Sequence, residues 1–262
     1  MRIAVFDSGA GGLSVLSHAR RVLPDAEFLF FADCDHVPYG TKSIEAVCGF
    51  VREGLRFLVE EQRADAVLIA CNTATSAAAD EMRQRYDLPI IGMEPAVKKA
   101  LAHDDTHRVL VAATPITVQG EKLRQLIAAQ RADHLVDLLA LPCLVEFAEQ
   151  QEFVSPRVEE YLCSALQSFD LAAYSALVLG CTHFNYFKDT LRKLLPPTVR
   201  LVDGTEETVE ELARRVGIPM AAAGARKAYC QFFASRRLIT DADTLARIEH
   251  YLQRAEEMAR IV

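Results

Sequence analysis

Short apolar runs alternate along the chain with longer segments that mix apolar and polar residues. The runs are four to six residues long and continuously apolar, which is typical of strands buried on both faces of a parallel sheet. They predict strands at 2–6, 27–32, 66–70, 89–92, 108–112, 135–140, 175–180 and 199–202.

The longer segments carry apolar residues at helical spacing and predict helices between the strands. They lie near 12–23, 43–62, 74–86, 95–103, 117–131, 156–170, 184–195 and 205–216. This alternation predicts an α/β protein whose mainly parallel sheets carry helices on both faces. The last segment, 241–260, is charged and leucine-spaced, with Asp241 and Asp243 as candidate N-caps, and it predicts a terminal helix packed on the surface.

A weak internal repeat relates the two halves of the chain. Residues 66–73 read AVLIACNT and residues 176–183 read ALVLGCTH, and 2–8 can be laid over 108–114 at a similar offset. The repeat favours two α/β units of one plan, although buried strands also resemble one another by chance. If a pseudo-two-fold axis relates the units, Cys71 and Cys181 face a shared cleft at the carboxyl ends of their strands, where open α/β sheets bind ligands.

Composition limits the classes of partner. The 262 residues are 51% hydrophobic and 25% charged, which is enough for a large core without disulfides. A formal net charge of −7 and the lack of a basic cluster argue against nucleic-acid binding. A negatively charged protein does not attract an acidic ligand through its overall field. Such a ligand must be held by local donors, such as hydroxyls and helix N-termini.

The apolar runs and the cysteines predict where the protein is found and which cysteine chemistry is absent. The chain enters a strand pattern at once, without the pattern of a signal peptide, and no apolar run reaches the ~20 residues of a membrane helix. We therefore expect a cytoplasmic protein that does not associate with membranes. The seven cysteines are irregularly spaced and form no C-x-x-C, so neither a disulfide framework nor a zinc site is expected.

Two cysteines nevertheless stand at matching strand ends. Cys71 is followed by an Asn-Thr pair, and Cys181 is followed by Thr182 and His183. A thiol beside a helix N-terminus has a stabilised thiolate and a pKa below the ordinary value of about 8.5. Two thiols facing one cleft suit a reaction that removes a proton from one face of a carbon and returns a proton to the other. Inert core cysteines are the alternative.

Three polar turns add candidate ligand contacts. The turn after the first strand reads Asp7-Ser8 followed by G-A-G-G, and its glycines permit close approach to a ligand. Its spacing is not G-x-G-x-x-G, so a dinucleotide site is not predicted. The segments VPYGT (37–41) and TPIT (114–117) also follow strands, and each is either a ligand contact or an ordinary loop and helix cap.

Six segments of the chain resemble the glutamate racemases of the aspartate/glutamate racemase family. They occur in order through about the first 200 residues and read FDSGAGGLSVL (6–16), FADCDHVPYGTKS (31–43), ACNTATSAA (70–78), IGMEPA (91–96), ATPITVQ (113–119) and GCTHFN (180–185). The resemblance implies two pseudo-symmetric, flavodoxin-like α/β domains with the active site in the cleft between them. The domains would be 1–96 plus 209–262, which carries Cys71, and 97–208, which carries Cys181.

The resemblance also implies a reaction and a set of residues. The reaction is the interconversion of L- and D-glutamate without pyridoxal phosphate or metal, supplying D-glutamate for peptidoglycan, in a family whose members are commonly homodimers. Cys71 would take the Cα proton of D-glutamate with help from Asp7, and Cys181 that of L-glutamate with help from His183. Substrate contacts are implied at Asp7, Ser8, Tyr39, Gly40, Asn72, Thr73, Thr114, Thr117, Thr182 and His183.

The chain departs from the family pattern at three places. After the sixth predicted strand it reads ALPCLVEFAE (140–149), with Glu146 where a proline is usual. The acid that supports His183 is therefore Glu146 or Glu149, of which we prefer Glu149. Asn185 replaces another common proline, and the segment 218–262 departs most.

Three other functions fit parts of the pattern. The first is aspartate racemase or a related two-cysteine isomerase, which the VPYG loop and the FDSGAGG start make less favoured than glutamate racemase. The second is a cysteine hydrolase that uses Cys181 and His183 and leaves Cys71 without a role. The third is a non-catalytic module that binds an amino acid without exchanging its Cα hydrogen.

Overall fold

Ten strands and eleven α-helices make up the computed structural model in the parts of the chain that it describes, residues 1–103, 106–221 and 227–261. The strands are β1 (Arg2–Asp7), β2 (Glu27–Ala32), β3 (Ala66–Ile69), β4 (Ile90–Gly92), β5 (Arg108–Ala113), β6 (Val136–Ala140), β7 (Tyr174–Leu179), β8 (Arg200–Val202), β9 (Cys230–Ala234) and β10 (Arg237–Leu238). The helices are α1 (Leu13–Val22), α2 (Ile44–Arg56), α3 (Asn72–Arg85), α4 (Val97–His103), α5 (Pro115–Gln119), α6 (Glu121–Ala129), α7 (Pro142–Glu149), α8 (Pro156–Leu166), α9 (Lys188–Leu194), α10 (Thr205–Val216) and α11 (Ala242–Met258).

The strands form two sheets that repeat one plan. The first has the order β10-β9-β2-β1-β3-β4 and the second β6-β5-β7-β8. In the first sheet β1 lies between β2 and β3, and in the second sheet β5 lies between β6 and β7. Every pairing is parallel except that of β10 with β9. The predicted mainly parallel α/β class is confirmed, and β1 and β3 take the same places in their sheet as β5 and β7 do in theirs.

The largest hydrophobic core is shared by the two sheets. It joins residues of β1 and β2, such as Val5 and Phe28, to residues of β7 and the following turn, such as Leu177 and Phe184. Two smaller cores cover the outer faces, one under α2 and α3 and one under α4 and α6. Burial on both sides explains the continuous apolar runs of the central strands. The shared core also keeps the carboxyl ends of β1, β3, β5 and β7 close together.

Several sequence predictions need correction. Strand β6 lies at a sheet edge and is mostly half-buried, so the expectation of burial on both faces is wrong for it. The helix expected over 117–131 is two helices, because Gly120 between α5 and α6 adopts an extended conformation and glycine favours helix poorly. Helix α7 and strands β9 and β10 were not predicted. The domain boundaries stay a prediction, and α10 runs across the expected division at 208/209.

None of the described helices is both long and apolar enough to cross a membrane.

Candidate active site

Cys71 caps the N-terminus of helix α3. The N–H of Ala74 donates to the Cys71 Sγ at 3.4 Å, and the thiol lies 3.5 Å from the Ser8 hydroxyl. The residue is only 6% exposed. The helix begins at Asn72, two residues before the start of the helix predicted near 74–86.

Burial controls the protonation of Cys71. Burial and, to a smaller extent, the nearby Asp7 carboxylate raise the pKa of this thiol to about 12, against the lowering effect of the hydrogen bonds from Ser8 and Ala74. The expected lowering by the helix N-terminus is therefore outweighed. At neutral pH Cys71 is a thiol, ready to donate a proton.

Asp7 ends β1 and lies wholly inside the protein. Its Oδ1 accepts the N–H of Gly9 at 2.9 Å, and its Oδ2 accepts the Thr182 hydroxyl at 3.1 Å. Burial raises the pKa of this carboxyl to about 6, although the nearby His183 opposes the shift. Asp7 thus joins the glycine-rich turn of the first sheet to the cysteine turn of the second.

Cys181, His183 and Glu149 form a chain of hydrogen-bonding groups. The Cys181 Sγ lies 3.7 Å from His183 Nδ1, and His183 Nε2 lies 2.7 Å from Glu149 Oε1. Burial alone lowers the pKa of His183, but the contacts with Cys181 and Glu149 raise it well above its ordinary value. The ring is therefore an imidazolium that can donate to a thiolate on one side and to a carboxylate on the other.

The acid beside His183 is Glu149 and not Glu146. Glu149 is the last residue of α7, and its Oε1 also accepts the N–H of Ala10 at 2.7 Å. Burial works to raise the pKa of Glu149, but the hydrogen bond and charge of His183 lower it overall. A protonated Nε2 has no free lone pair, so while it donates to Glu149 it does not accept a hydrogen bond from the Gly11 N–H, whose nitrogen lies 3.2 Å away.

The glycines of the first turn let these groups meet. A Cβ on Gly11 would strike the His183 ring and the Thr182 hydroxyl, and a Cβ on Gly9 would strike the Glu149 carboxylate. A Cβ on Gly12 would lie 2.6 Å from that of Asp7. The glycines therefore permit close contact between the two halves of the site. The sequence pattern predicts close approach of a ligand at the same glycines.

Three buried threonine hydroxyls form a cluster on the other side of Cys71. Thr73 comes from α3, and its Oγ1 lies 2.9 Å from that of Thr114 and 3.3 Å from that of Thr117, which flank the start of α5. Thr114 and Thr117 are 3.1 Å apart. These interchangeable donors join the two sheets and suit an anionic group such as a carboxylate.

Asn72 offers an acceptor next to the thiol. Its amide nitrogen donates to the Met93 carbonyl at 3.4 Å, and its Oδ1 is buried without a hydrogen-bond partner among the residues that the structure describes. An unpartnered carbonyl oxygen suits a donor such as an ammonium group.

The predicted loop at 37–41 packs onto the threonine cluster through Gly40, where a Cβ would lie 2.6 Å from that of Thr114. The Tyr39 hydroxyl does not point to this cluster but donates to Asp33 Oδ2 at 2.6 Å. Asp33 also contacts the His36 ring at 2.9 Å and accepts the Ser235 hydroxyl at 3.2 Å. Asp33 was not singled out from the sequence, although it lies in the segment 31–43, and Ser235, which is 202 residues further along the chain, was missed.

The structure brings most of the residues predicted for the site together, although the Tyr39 hydroxyl is bound to Asp33 instead. Asp7, Ser8, Cys71, Cys181, Thr182 and His183 form one cluster with Glu149, and the threonines continue it. All the predicted residues except Gly40 and Glu149 carry a side chain that is buried, so the site is nearly closed to solvent. In the described ranges, no group of three or more His, Cys, Asp or Glu residues is arranged to hold a metal ion.

Comparison with known proteins gives one consistent set of relatives. Residues 14–212 match the family model described as Asp/Glu/Hydantoin racemase. A glutamate racemase from Campylobacter curvus is 50% identical, over the whole of both chains. The crystal structure of the glutamate racemase from Campylobacter jejuni subsp. jejuni superposes with a TM-score of 0.81 at 28% identity, covering 97% of this chain and 98% of the other.

A further solved structure contains a ligand. It is the glutamate racemase of Francisella tularensis subsp. tularensis in complex with D-glutamate, with a TM-score of 0.79 at 25% identity, covering 96% of this chain and 93% of the other. An aspartate racemase from Picrophilus torridus, at 13% identity and a TM-score of 0.57, shares the fold alone.

Proposed function

The chain belongs to the Asp/Glu/hydantoin racemase family, and from this premise we propose that it interconverts L- and D-glutamate. The observation that carries the proposal is the pair of buried cysteines at equivalent strand ends of the two sheets, each with its own polar partners. The identity with a glutamate racemase along the whole chain supports glutamate as the substrate.

In the L-to-D direction we propose that Cys181 is the base. The imidazolium of His183 stabilises a thiolate on Cys181, which takes the Cα proton of L-glutamate and becomes a thiol. Cys71, held as a thiol by burial, gives its proton to the opposite face of Cα and becomes a thiolate. The C–H bond lost on one face is replaced by a C–H bond on the other, and no redox step is required.

In the D-to-L direction the roles reverse. The Cys71 thiolate takes the proton, and the Cys181 thiol donates. Asp7 lies near Cys71, and its carboxylate contributes to the raised pKa of the Cys71 thiol, whereas the pKa of Asp7 itself is raised by burial. We propose that Asp7 and His183 assist Cys71 and Cys181 respectively, and that Glu149 orients the His183 ring.

The remaining site residues hold the substrate in this proposal. The hydroxyls of Thr73, Thr114 and Thr117 bind a carboxylate, and the Asn72 amide oxygen and Ser8 hydroxyl serve the α-ammonium group. The Thr182 hydroxyl, which also donates to Asp7, contacts the substrate as well, and Tyr39 and Gly40 contact it through their backbone because the Tyr39 hydroxyl is bound to Asp33. These local donors meet the requirement that a negatively charged protein sets for an acidic ligand.

The wider role follows from the family. We propose a cytoplasmic enzyme that uses neither pyridoxal phosphate nor metal, supplies D-glutamate for peptidoglycan and works as a homodimer.

The deciding experiment follows Cα exchange in heavy water. Enzyme freed of pyridoxal phosphate and metal is incubated with D-glutamate, and chiral analysis and proton NMR follow the enantiomers and the Cα hydrogen. Formation of deuterated L-glutamate supports the proposal, and the same assay with aspartate should give little turnover. Glutamate and aspartate both inert would contradict it and favour a binding module.

Cysteine variants test the two-base step. Cys71→Ala and Cys181→Ala should each abolish racemisation, since each removes one of the two proton carriers. Cys230→Ala is the matched control, because Cys230 is also buried but pairs in register with Phe28 near the opposite, amino end of β2. Full racemisation by Cys181→Ala would overturn the mechanism.

A further inference from the structure

A cavity of about 380 Å³ lies between the two sheets' helices, and neither Cys71 nor Cys181 lines it. It is bounded by α1, by β8 and the start of α10, and by the end of α11. Its volume lies in the range of small-molecule sites, which starts at about 300 Å³. None of the functions described above uses it.

Unpartnered polar atoms converge on this cavity. Four residues that line it each carry a buried side-chain atom with no hydrogen-bond partner in the described protein, namely Ser17 Oγ, His18 Nε2, Arg21 Nε and Asn185 Oδ1. Among the described residues, only one other buried side-chain atom lacks a hydrogen-bond partner, and it is Oδ1 of Asn72 in the active site. Ser17 and Asn185 are each more than nine-tenths buried. A buried polar group without a partner is destabilising, so four such groups at one cavity favour the binding of a polar ligand there.

The charges of the cavity favour an anion. Four cations line it, Arg21, Lys99, Lys188 and Arg200, against the two carboxylates Asp203 and Glu206. Lys188 is bound to Asp203 at 2.8 Å, and Lys99 approaches Glu206 at 3.7 Å. Arg21 and Arg200 form no ion pair with any residue that the structure describes. Two guanidinium groups thus remain for a ligand, and arginine favours bidentate contact with carboxylate or phosphate.

We propose that this cavity is a binding site for a small organic anion that carries two or more carboxylate or phosphate groups. Arg21 and Arg200 bind its charges, and Ser17 and His18 contact its oxygen atoms. The Asn185 amide oxygen accepts a hydroxyl or N–H of the ligand. Carboxylate and phosphate offer the same oxygen geometry to these donors, so the two sources are separated by experiment.

The cavity shares a wall with the catalytic turns. Ser14 lines it, and the Ser14 hydroxyl donates to the Gly11 carbonyl at 2.8 Å and accepts the Asn185 amide at 3.3 Å. Asn185 belongs to the same turn as His183, and Gly11 packs against the His183 ring. An occupant that contacts Asn185 therefore touches the turn that positions the base, and we expect it to change the rate of racemisation.

The test measures anion binding by calorimetry on the whole enzyme in chloride buffer, with pyrophosphate as the phosphate probe and citrate as the carboxylate probe. We expect saturable binding of at least one probe. Arg21→Gln and Arg200→Gln should each weaken it roughly tenfold or more. Arg260→Gln is the matched control, because Arg260 is exposed at the same end of α11 and does not line the cavity.

Each result decides a separate claim. Weaker binding in both cavity variants, with unchanged binding in Arg260→Gln, supports the site. The probe that binds more tightly shows whether the site prefers phosphate or carboxylate groups. Equal affinity in all four proteins, or no saturable binding by either probe, overturns it. If Arg21→Gln does not fold, the half-buried Arg200 supplies the decisive variant. Racemisation that is unchanged at saturating probe overturns the coupling to the catalytic turn, and calorimetry does not depend on the racemase proposal.

Discussion

At the scale of single residues, the site differs most in what surrounds its two thiols. Cys71 lies near the Asp7 carboxylate and burial keeps it as a thiol, whereas Cys181 lies against the imidazolium of His183. The sequence predicted these pairings in part, because His183 is two residues from Cys181 in the chain. It left Glu146 and Glu149 open, since only the fold decides which side of α7 meets the His183 ring.

Replacing Asp7 by Asn should make the enzyme more stable and much less active. The pKa of Asp7 is about 6 in the folded protein against an ordinary 3.8, so the folded state binds the extra proton and loses stability as pH rises from about 4 to 6. Above pH 6 the buried, ionised carboxylate of Asp7 destabilises the folded state, and the neutral Asn side chain does not. We expect a gain on the order of 1–3 kcal/mol at pH 7.5 in urea unfolding and a loss of roughly 10²–10⁴-fold in kcat. An equally active or clearly less stable variant would contradict this role.

Replacing Glu149 by Gln should move the alkaline limb of the pH–rate profile to lower pH. Glu149 helps to raise the pKa of His183, so its loss lets the imidazolium deprotonate sooner as pH rises. The kcat/KM for L-glutamate should then begin to fall about one pH unit or more earlier. Glu146→Gln is the control and should keep the wild-type profile, because Glu146 does not contact His183. If the alkaline limb does not move in Glu149→Gln, the raised pKa of His183 depends on its contact with Cys181 alone.

At the scale of elements, turns between strands and helices carry the site. Their existence was predicted because glycine and hydroxyl residues follow apolar runs. Their contacts were not, since Asp7 with Thr182 and Thr73 with Thr114 are pairs that only tertiary packing brings together. Strand β9 was not predicted because Gln231 divides its apolar residues, and α7 was not predicted because its proline and glutamates masked its helical spacing.

A single methyl group in the glycine turn should stop the reaction. In Gly11→Ala the new Cβ would strike the His183 ring and the Thr182 hydroxyl, so one of them must move. We expect kcat to fall at least roughly 10²-fold, since misplacement by about 1 Å has such effects. Gly49→Ala, in α2 with open space at its Cβ, should keep full activity and gain a few tenths of a kcal/mol. Wild-type kcat in Gly11→Ala would show that the turn tolerates displacement.

Removing one hydroxyl of the threonine cluster should weaken substrate binding. Thr114→Val keeps the shape but takes away a group that can donate to a carboxylate, while Thr73 and Thr117 remain. We expect KM to rise roughly tenfold with a smaller change in kcat, as for the loss of a hydrogen bond to a charged group. Thr208→Val removes a buried hydroxyl of α10 that is bound to the Gly204 carbonyl, and it should leave KM unchanged. A fall in kcat alone would place Thr114 in the proton-transfer step instead.

At the scale of the whole molecule, two sheets of one strand order place their equivalent ends against each other. The repeat in the sequence anticipated this, because AVLIACNT and ALVLGCTH occupy β3 and β7 and their following turns. The sequence did not show that one core runs through both halves or that a polar cavity lies between their helices. Such features depend on which helix faces meet, which local periodicity does not determine.

The near-complete burial of both thiols has a consequence for timing. Cys71 and Cys181 are 6% and 7% exposed, so neither a substrate nor an alkylating reagent reaches them while the halves are together. Iodoacetamide at saturating concentration should then react at a limiting rate that reports how often the halves separate, while the exposed Cys163 reacts in proportion to reagent. If that limiting rate equals kcat, substrate entry and product release, rather than proton transfer, set the pace of turnover.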